Sequence, residues 1–484
     1  MYSHSFWLEK TTYQRLLAAY PVFHTEKRLR SLFVYLANCR LNDEGYRSLS
    51  SATLSRIYTG DGQAKRRHDF SVTNEISKLQ EVIPGLQIAL SEYRIKGSKA
   101  RDVIEFVPPP EVIEILVGEH PLDRTGHLKK LGLVDARTGL PVNAAQIADY
   151  RAARRAEADA TNAACPWLET REFLDFMYHA LSPDMFKPKA TDVRECDRYL
   201  ESALEQGHLS ADQTLATWRN LDEMLMLRQT FYVWSQHSKR VFTMGYGFAT
   251  LHSPVRQRLF PDLIEVDLTA AQAATLCAIC DVPLLRGLLE SGKSLWEYIL
   301  TELGFDGQDK EMKAVLKIVF YSLCFGKSML RLFRFEKNDY RAHKRAIWRL
   351  KPVQERFLAI PLIREMLVAR DQKMIEIRRA GGAYDCDGDW IATGKRADGR
   401  RVTARSVLSQ LAQAVEWRLL EPLRREAIRV QVNPHGWRLL IWSHDGFSFR
   451  PRQWRDAGDI CRRLVKLVDE QARRMNVPTR LEFK

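Results

Sequence analysis

The sequence predicts an α+β fold in about three parts, and three observations carry that expectation. With 484 residues and 45% hydrophobic content, the chain is long enough to bury more than one core. Helical periodicities in the first ~110 residues give way to two strand-like runs before Pro108-Pro109-Pro110, and consecutive prolines cannot continue a helix or a sheet interior. From about residue 111 to about 240 the pattern is mainly helical, and beyond that apolar strand-like runs again interrupt helices.

Leu29, Leu32, Phe33 and Leu36 recur at the spacing of one helix face, and Leu54, Ile57 and Tyr58 suggest a second helix. Ile76, Leu79 and Ile83 mark a third, stopped by Pro84-Gly85. LQIALSEYRI and DVIEFV then read as strands joined through KGSKAR. Three helices followed by a hairpin predict a winged-helix-like module over 1–110. In such a module NEISKLQEV would face a DNA groove, Lys96, Lys99 and Arg101 would form the wing, and Lys65, Arg66 and Arg67 would contact phosphates. A small structural domain with solvated charges has the same element order. In the region 111–240, IADYRAARRAEADATNAA reads as an exposed helix with a solvated charged face.

Lys and Arg number 74 against 60 Asp and Glu, a formal charge of +14, so polyanions are the expected partners, nucleic acid ahead of acidic membrane. No apolar run approaches the ~20 residues that cross a bilayer, and MYSHSFWLEK has neither a basic leader nor an apolar core. The expectation is a cytoplasmic protein with no membrane partner. The eight cysteines lack framework spacing, and Cys277 and Cys280 fit a buried helical pair better than a redox or zinc site without a second pair. Asp385, Asp387 and Asp389 begin like a calcium loop, but Trp390 and Arg396 stand where Gly and Glu belong, so a polar hairpin turn is expected.

The chemistry concentrates beyond residue 262. LIEVDLTAAQAATL starts as a strand, places Asp267 at its end and becomes helical, while RLLIWSHDGFSF is a second strand-like run broken at His444-Asp445-Gly446. Two such carboxylates could share a pair of divalent cations about 3.5 to 4 Å apart, the arrangement used for in-line phosphoryl transfer. Between them, Lys313, Lys317, Tyr321 and Phe325 recur every fourth position before Gly326, which on a helix turns two cations and two rings to one face. That face suits a nucleoside triphosphate, and an amphipathic core helix with two solvated lysines has the same pattern.

In this order the elements resemble the family A DNA polymerases over roughly 240 to 450. Motif A of that family is a strand-end Asp with Glu five positions later, where this chain has Asp267 and Gln272. Motif B runs Arg, Lys, aromatic, Tyr-Gly at the spacing of Lys313, Lys317, Tyr321 and Phe325-Gly326. Motif C is His-Asp-Glu, matched by His444-Asp445-Gly446. In RSVLSQLAQ, Arg405, Ser409 and Gln413 fall where the family has a minor-groove Arg, an Asn and a Gln, and LLRGLLESGKSLW is similar to the stretch leading to a triphosphate-binding His.

The resemblance implies a right-hand polymerase, with a helical region 111–240 that includes the thumb and a palm and fingers over 241–484. It implies a DNA-dependent DNA polymerase acting on a DNA primer-template with nucleoside triphosphates and two Mg2+ or Mn2+ ions held by Asp267 and Asp445. Lys313 would neutralise the outer phosphates, and Lys317 would meet the phosphate under attack and donate a proton to pyrophosphate. Tyr321 would pack on the incoming sugar and base, Phe325 and Gly326 would support the templating position, and His444 would place the primer end. Arg405 and Gln413 would read minor-groove acceptors that every correct pair presents, with Ser409 between them on the same helix face.

Four departures follow. Gly446 lacks the family's acid, Trp296 replaces the triphosphate-binding His, and Lys313 replaces a bidentate Arg. Gln272 and Phe325 replace the Glu and Tyr that exclude a ribose 2′-hydroxyl, which predicts weakened sugar discrimination. No Asp-x-Glu of the proofreading type precedes Asp267, so no exonuclease is expected. The compact layout suggests phage or plasmid replication in a bacterial or viral host cytoplasm. A single-subunit RNA polymerase or primase-like enzyme is the alternative, favoured by Phe325 and the missing acid, and a DNA-binding replication factor with a degenerate polymerase body is a second. Thr269, Gln272 and Tyr321 favour DNA synthesis.

Overall fold

The computed structural model describes residues 7–38, 47–50, 72–93, 101–117, 133–179, 183–227, 229–235, 238–245, 247–326, 351–395, 401–430, 433 and 435–483. The chain forms two compact units: 1–161 with 182–231 and 243–261, and 162–181 with 232–242 and 262–484. Both mix helices with antiparallel sheet, as the α+β expectation has it.

In the first unit, helices Lys27–Asn38 and Val72–Val82 lie where the periodicity places them. Leu29, Leu32, Phe33, Leu36, Ile76, Leu79 and Ile83 all enter one buried core. Gly85, at φ +82°, reverses the chain after the second of these helices, a backbone state that favours glycine. The hairpin follows: Gln87–Tyr93 pairs antiparallel with Arg101–Val107, and Arg47–Ser50 adds a third strand on the far side of the latter. Trp7–Glu9 pairs with Leu133–Asp135, which pairs in turn with Leu140–Pro141. The buried Arg30 guanidinium ties this sheet to the helices by donating to the carbonyls of Ala136 at 2.7 Å and Phe23 at 2.8 Å. The expected helix of Leu54, Ile57 and Tyr58 lies outside the described residues, as do Lys65, Arg66, Arg67, Lys96, Lys99 and Arg396, and the side chain of Arg101. The helical reading of the next stretch holds for Ala144–Ala163, Leu168–His179, Ala190–Glu205 and Ala211–Leu227.

The second unit is built around a four-stranded antiparallel sheet in the order Trp437–Trp442, Gly446–Pro451, Ile264–Leu268, Leu481–Phe483. The sheet buries Val266, Leu268, Leu439, Ile441, Phe447 and Phe449. A separate apolar core joins helices Ala271–Ile279, Leu295–Glu302, Lys310–Cys324, Pro361–Ala380 and Ala404–Leu419. Cys277 and Cys280 are free and buried there, and burial pushes their thiols up to about 12 and about 11, which suits inert core residues.

The Asp385–Asp389 turn is a polar hairpin, as its departures from a calcium loop predict, but it also holds a cation. Lys239 Nζ lies 3.2 Å from Asp385, 2.5 Å from Asp387 and 2.7 Å from Asp389. An ammonium thus occupies the place where a metal would sit in an oxygen-rich loop, and Arg418 adds a second charge 3.5 Å from Asp387. Among the described residues no helix is long and apolar enough to cross a membrane.

Candidate active site

Asp267 sits on the central strand Ile264–Leu268, and the strand register places it opposite Gly446 on one side and Glu482 on the other. Asp445 precedes Gly446 in the turn between the two longest strands of this sheet, closed by Ser443 N–H donating to the Gly446 carbonyl at 2.9 Å. The Asp445 carbonyl accepts from Leu268 N–H at 2.8 Å, so the two aspartates are locked at one end of the sheet by main-chain bonds around them. Tyr232 anchors the strand entering that turn, its hydroxyl accepting from Trp442 N–H at 2.9 Å and donating to the Trp442 carbonyl at 3.2 Å.

The helix Lys310–Cys324 starts at Asp309, whose carboxylate accepts from Met312 N–H at 2.9 Å. It buries Val315, Leu316, Val319, Phe320, Leu323 and Cys324 and turns Lys313, Lys317 and Tyr321 to the other face. Its far end is pinned twice: Arg370 donates to the Leu323 carbonyl at 2.7 Å and Arg405 to the Phe325 carbonyl at 3.0 Å. Gly326 then takes φ +78°, a conformation that favours glycine, and a Cβ there would also press on the Met374 side chain at 2.7 Å.

These elements enclose an open cleft of about 890 Å3 that is lined by Asp267, Asp445, Lys313, Lys317, Tyr321 and Trp296 together. Arg286, Lys293, Arg473 and Arg480 rim it, which suits a polyanionic ligand. Burial and the neighbouring Lys313 lower the Lys317 ammonium from its ordinary value, with Asp445 and Glu482 opposing them. Burial raises the Tyr321 hydroxyl well above the usual phenol range, assisted by the negative charge of Asp445. Ala270, between Asp267 and the following helix, holds φ +49°, a left-handed state that costs an alanine roughly 1–2 kcal/mol.

Gln272, Phe325, Gly326, Arg405, Ser409, Gln413 and His444 do not line this cleft. Gln272 is in the helix that follows Asp267, and its Oε1 is buried without a partner among the described residues. Ser409 and Gln413 share one face of the Ala404–Leu419 helix, Gln413 donating to Ser409 Oγ at 3.5 Å. Arg405 instead caps the end of the lysine-bearing helix. His444 is exposed at the turn, its ring edge-on to Phe242 with centroids 4.7 Å apart.

Sequence reasoning missed Glu482 and Arg480, and it named Thr269 only for its place in the strand-end pattern. The short strand Leu481–Phe483 carries Glu482 into the cleft, fixed by Thr269 N–H donating to the Arg480 carbonyl at 2.9 Å and by Thr479 Oγ1 donating to the Thr269 carbonyl at 2.8 Å. The only trace in the sequence is the apolar, acidic, apolar order of Leu481-Glu482-Phe483.

The Asp445 carboxylate enters no hydrogen bond or ion pair among the described residues, which leaves its lone pairs for a cation. Among those residues no three His, Cys, Asp or Glu side chains converge closely enough to hold an ion by themselves. Two carboxylates below a rim of cations fit hard ions such as Mg2+, whose remaining positions go to water and phosphate.

No protein-family model matches the chain, and no curated protein matches it. Among solved structures it is similar to the POL domain of Pol1 from M. smegmatis in complex with DNA primer-template and dNTP. The match has a TM-score of 0.42 and 13% identity, covering 70% of this chain. The chain spans 64% of the length of that structure, just under two thirds.

Proposed function

We propose that the chain is a template-directed nucleotidyltransferase, specifically a DNA-dependent DNA polymerase of the family A type that works with two Mg2+ or Mn2+ ions. One observation carries the reading: strand pairing brings Asp267 and Asp445 to one end of a sheet, and the cleft they share is walled by the Lys313, Lys317 and Tyr321 face of a helix. When bound, the ions would supply Lewis-acid polarisation of a phosphate and a lower pKa for an attacking hydroxyl.

The rest falls to the chain's own residues. Asp267 and Asp445 hold the ions, and Lys313, at the cleft's helical wall, binds the outer phosphates. Lys317, with its ammonium lowered, meets the phosphate under attack and releases a proton to the departing pyrophosphate. Tyr321 keeps its proton and offers a ring and a neutral hydroxyl to the incoming sugar. Arg405, Ser409 and Gln413 lie along the primer-template, and His444 touches the primer end. Phe325 and Gly326 back the templating base.

In this reading 241–484 is the palm and fingers, with the four-stranded sheet in the palm, and the region 111–240 contributes the thumb. The N-terminal 110 residues form a winged-helix-like module that binds duplex DNA through Lys65, Arg66, Arg67, Lys96, Lys99 and Arg101. Proofreading is absent, and the work is replication in a phage or plasmid setting. Sugar discrimination is weak, because Phe325 has no hydroxyl and Gln272 keeps the shape of Glu while adding an amide donor able to meet a 2′-hydroxyl. Phe325 and Gly446 also favour the second reading, RNA or primer synthesis.

Extension of a labelled DNA primer, set beside unprimed product formation, each with deoxy- or ribonucleotides and Mg2+ or Mn2+, separates the two. Template-dependent primer extension with both sugars is the expected result. Unprimed ribonucleotide synthesis selects the second reading, and duplex binding without any elongation leaves only a DNA-binding factor.

A further inference from the structure

Resting on the polymerase reading above, we propose that Trp296 is the positioning residue for Lys317, a platform that holds its ammonium free for phosphate. By comparison with the family, Trp296 replaces a chargeable imidazole donor with a neutral indole. The geometry gives it another use. It lies in the first turn of Leu295–Glu302, where the Ser294 side chain accepts from Glu297 N–H at 3.2 Å and fixes the helix start. Its ring is 8% exposed and stands edge-to-face against Phe320 and Tyr321, with centroids 5.6 and 5.4 Å apart and interplanar angles of 85° and 88°. Two contacts nearly at right angles allow the indole one orientation.

Lys317 Nζ lies 5.7 Å from the centroid of that ring, within cation–π range. Lysine is a point charge on a flexible four-carbon stem, so its direction must come from its surroundings. Asp445 and Glu482 attract it across the cleft and Lys313 repels it, yet Lys317 forms no ion pair among the described residues. An ammonium paired to Asp445 would block both the metal ligand and the phosphate contact. The indole face offers it a resting place short of the carboxylates.

The test sets this role against the family's. Trp296→His restores the family's donor, and Trp296→Phe keeps a ring. In primer extension by the full chain at varied nucleotide concentration, Trp296→His should lose about tenfold or more in kcat with KM within about threefold, while Trp296→Phe stays within about threefold of wild type in both. A lower KM without loss of kcat in Trp296→His, or equal losses in both variants at unchanged Tm, overturns the proposal.

A second readout needs no turnover. Acylation of Lys317 by an amine-reactive ester, followed peptide by peptide with mass spectrometry, should slow about threefold or more in Trp296→Leu, because the freed ammonium pairs with carboxylate and its pKa rises. An unchanged rate overturns the contact. A wild-type chain that extends no primer overturns the polymerase reading and the role together, while the acylation rate still reports the contact by itself.

Discussion

Replacing Gly446 by the acid that the family carries should damage the site that it nominally completes. A Cβ at Gly446 would lie 2.0 Å from Asp267 Oδ1, 2.1 Å from the Val266 carbonyl oxygen and 3.0 Å from Asp267 Cα. The carboxylate can rotate away, but the carbonyl belongs to the paired strand and must retreat by roughly 1 Å to restore contact distance. Overpacking of this kind costs about 1–3 kcal/mol, which lowers Tm by roughly 3–10 °C in a unit of this size. Because Gly446 pairs directly with Asp267, the strand shift also carries this proposed metal ligand with it, and a displacement near 1 Å costs about a hundredfold in rate. Gly446→Ala isolates the steric part and Gly446→Glu adds the charge. Differential scanning calorimetry and primer extension on both should show a reduced Tm and a rate lower by about two orders of magnitude. Wild-type Tm and rate in Gly446→Glu would refute the close-approach argument.

Three further outcomes follow from other parts of the second unit. Lys239→Met should leave Asp385, Asp387 and Asp389 without their shared cation, costing about 3–5 kcal/mol, and should create a site for Tb3+ beside Trp167, read as sensitised luminescence absent from wild type. Burial, with Asp445 adding to it and Arg240 at 3.2 Å opposing it, raises the Glu416 carboxyl to about 7. The folded chain therefore keeps a proton that the unfolded chain has released between about pH 4.5 and about pH 7, stability falls as pH rises through that window, and Glu416→Gln should flatten the fall in urea titrations. Glu482→Gln, opposite Asp267, should weaken Mn2+ binding about tenfold by paramagnetic titration, with Tm unchanged because the side chain is exposed.

Local signals in the sequence reach as far as local physics. The helix faces of Leu29 to Leu36 and Ile76 to Ile83, the stop at Pro84-Gly85 and the hairpin after it are all set by periodicity and turn chemistry within a dozen residues. So is the Lys313, Lys317, Tyr321 face, because four-residue spacing on a helix fixes a side by itself. Asp267 and Asp445 were legible as strand-end acids, but their convergence depends on strand order, which no local pattern contains. Glu482 was hidden for the same reason: a three-residue strand acquires meaning only when it docks beside Asp267. Lys239 lies 148 positions from Asp387, so the departures from a calcium loop could be read while the ammonium that fills it could not. Contacts across the chain show a different limit, since no local pattern contains the approach of Lys317 to the Trp296 ring or the bond from Arg405 to the Phe325 carbonyl.

The most direct measurement compares run-off synthesis by the intact chain with that by Asp445→Asn, on a primed DNA template with Mg2+ or Mn2+. Asparagine preserves the shape of the turn and the main-chain bond from Leu268, so under the proposed function folding and template binding should persist while synthesis falls by three orders of magnitude or more, on the order expected if Asp445 is a metal ligand. Full-length product from Asp445→Asn at the wild-type rate would contradict a reaction centred on the two aspartates.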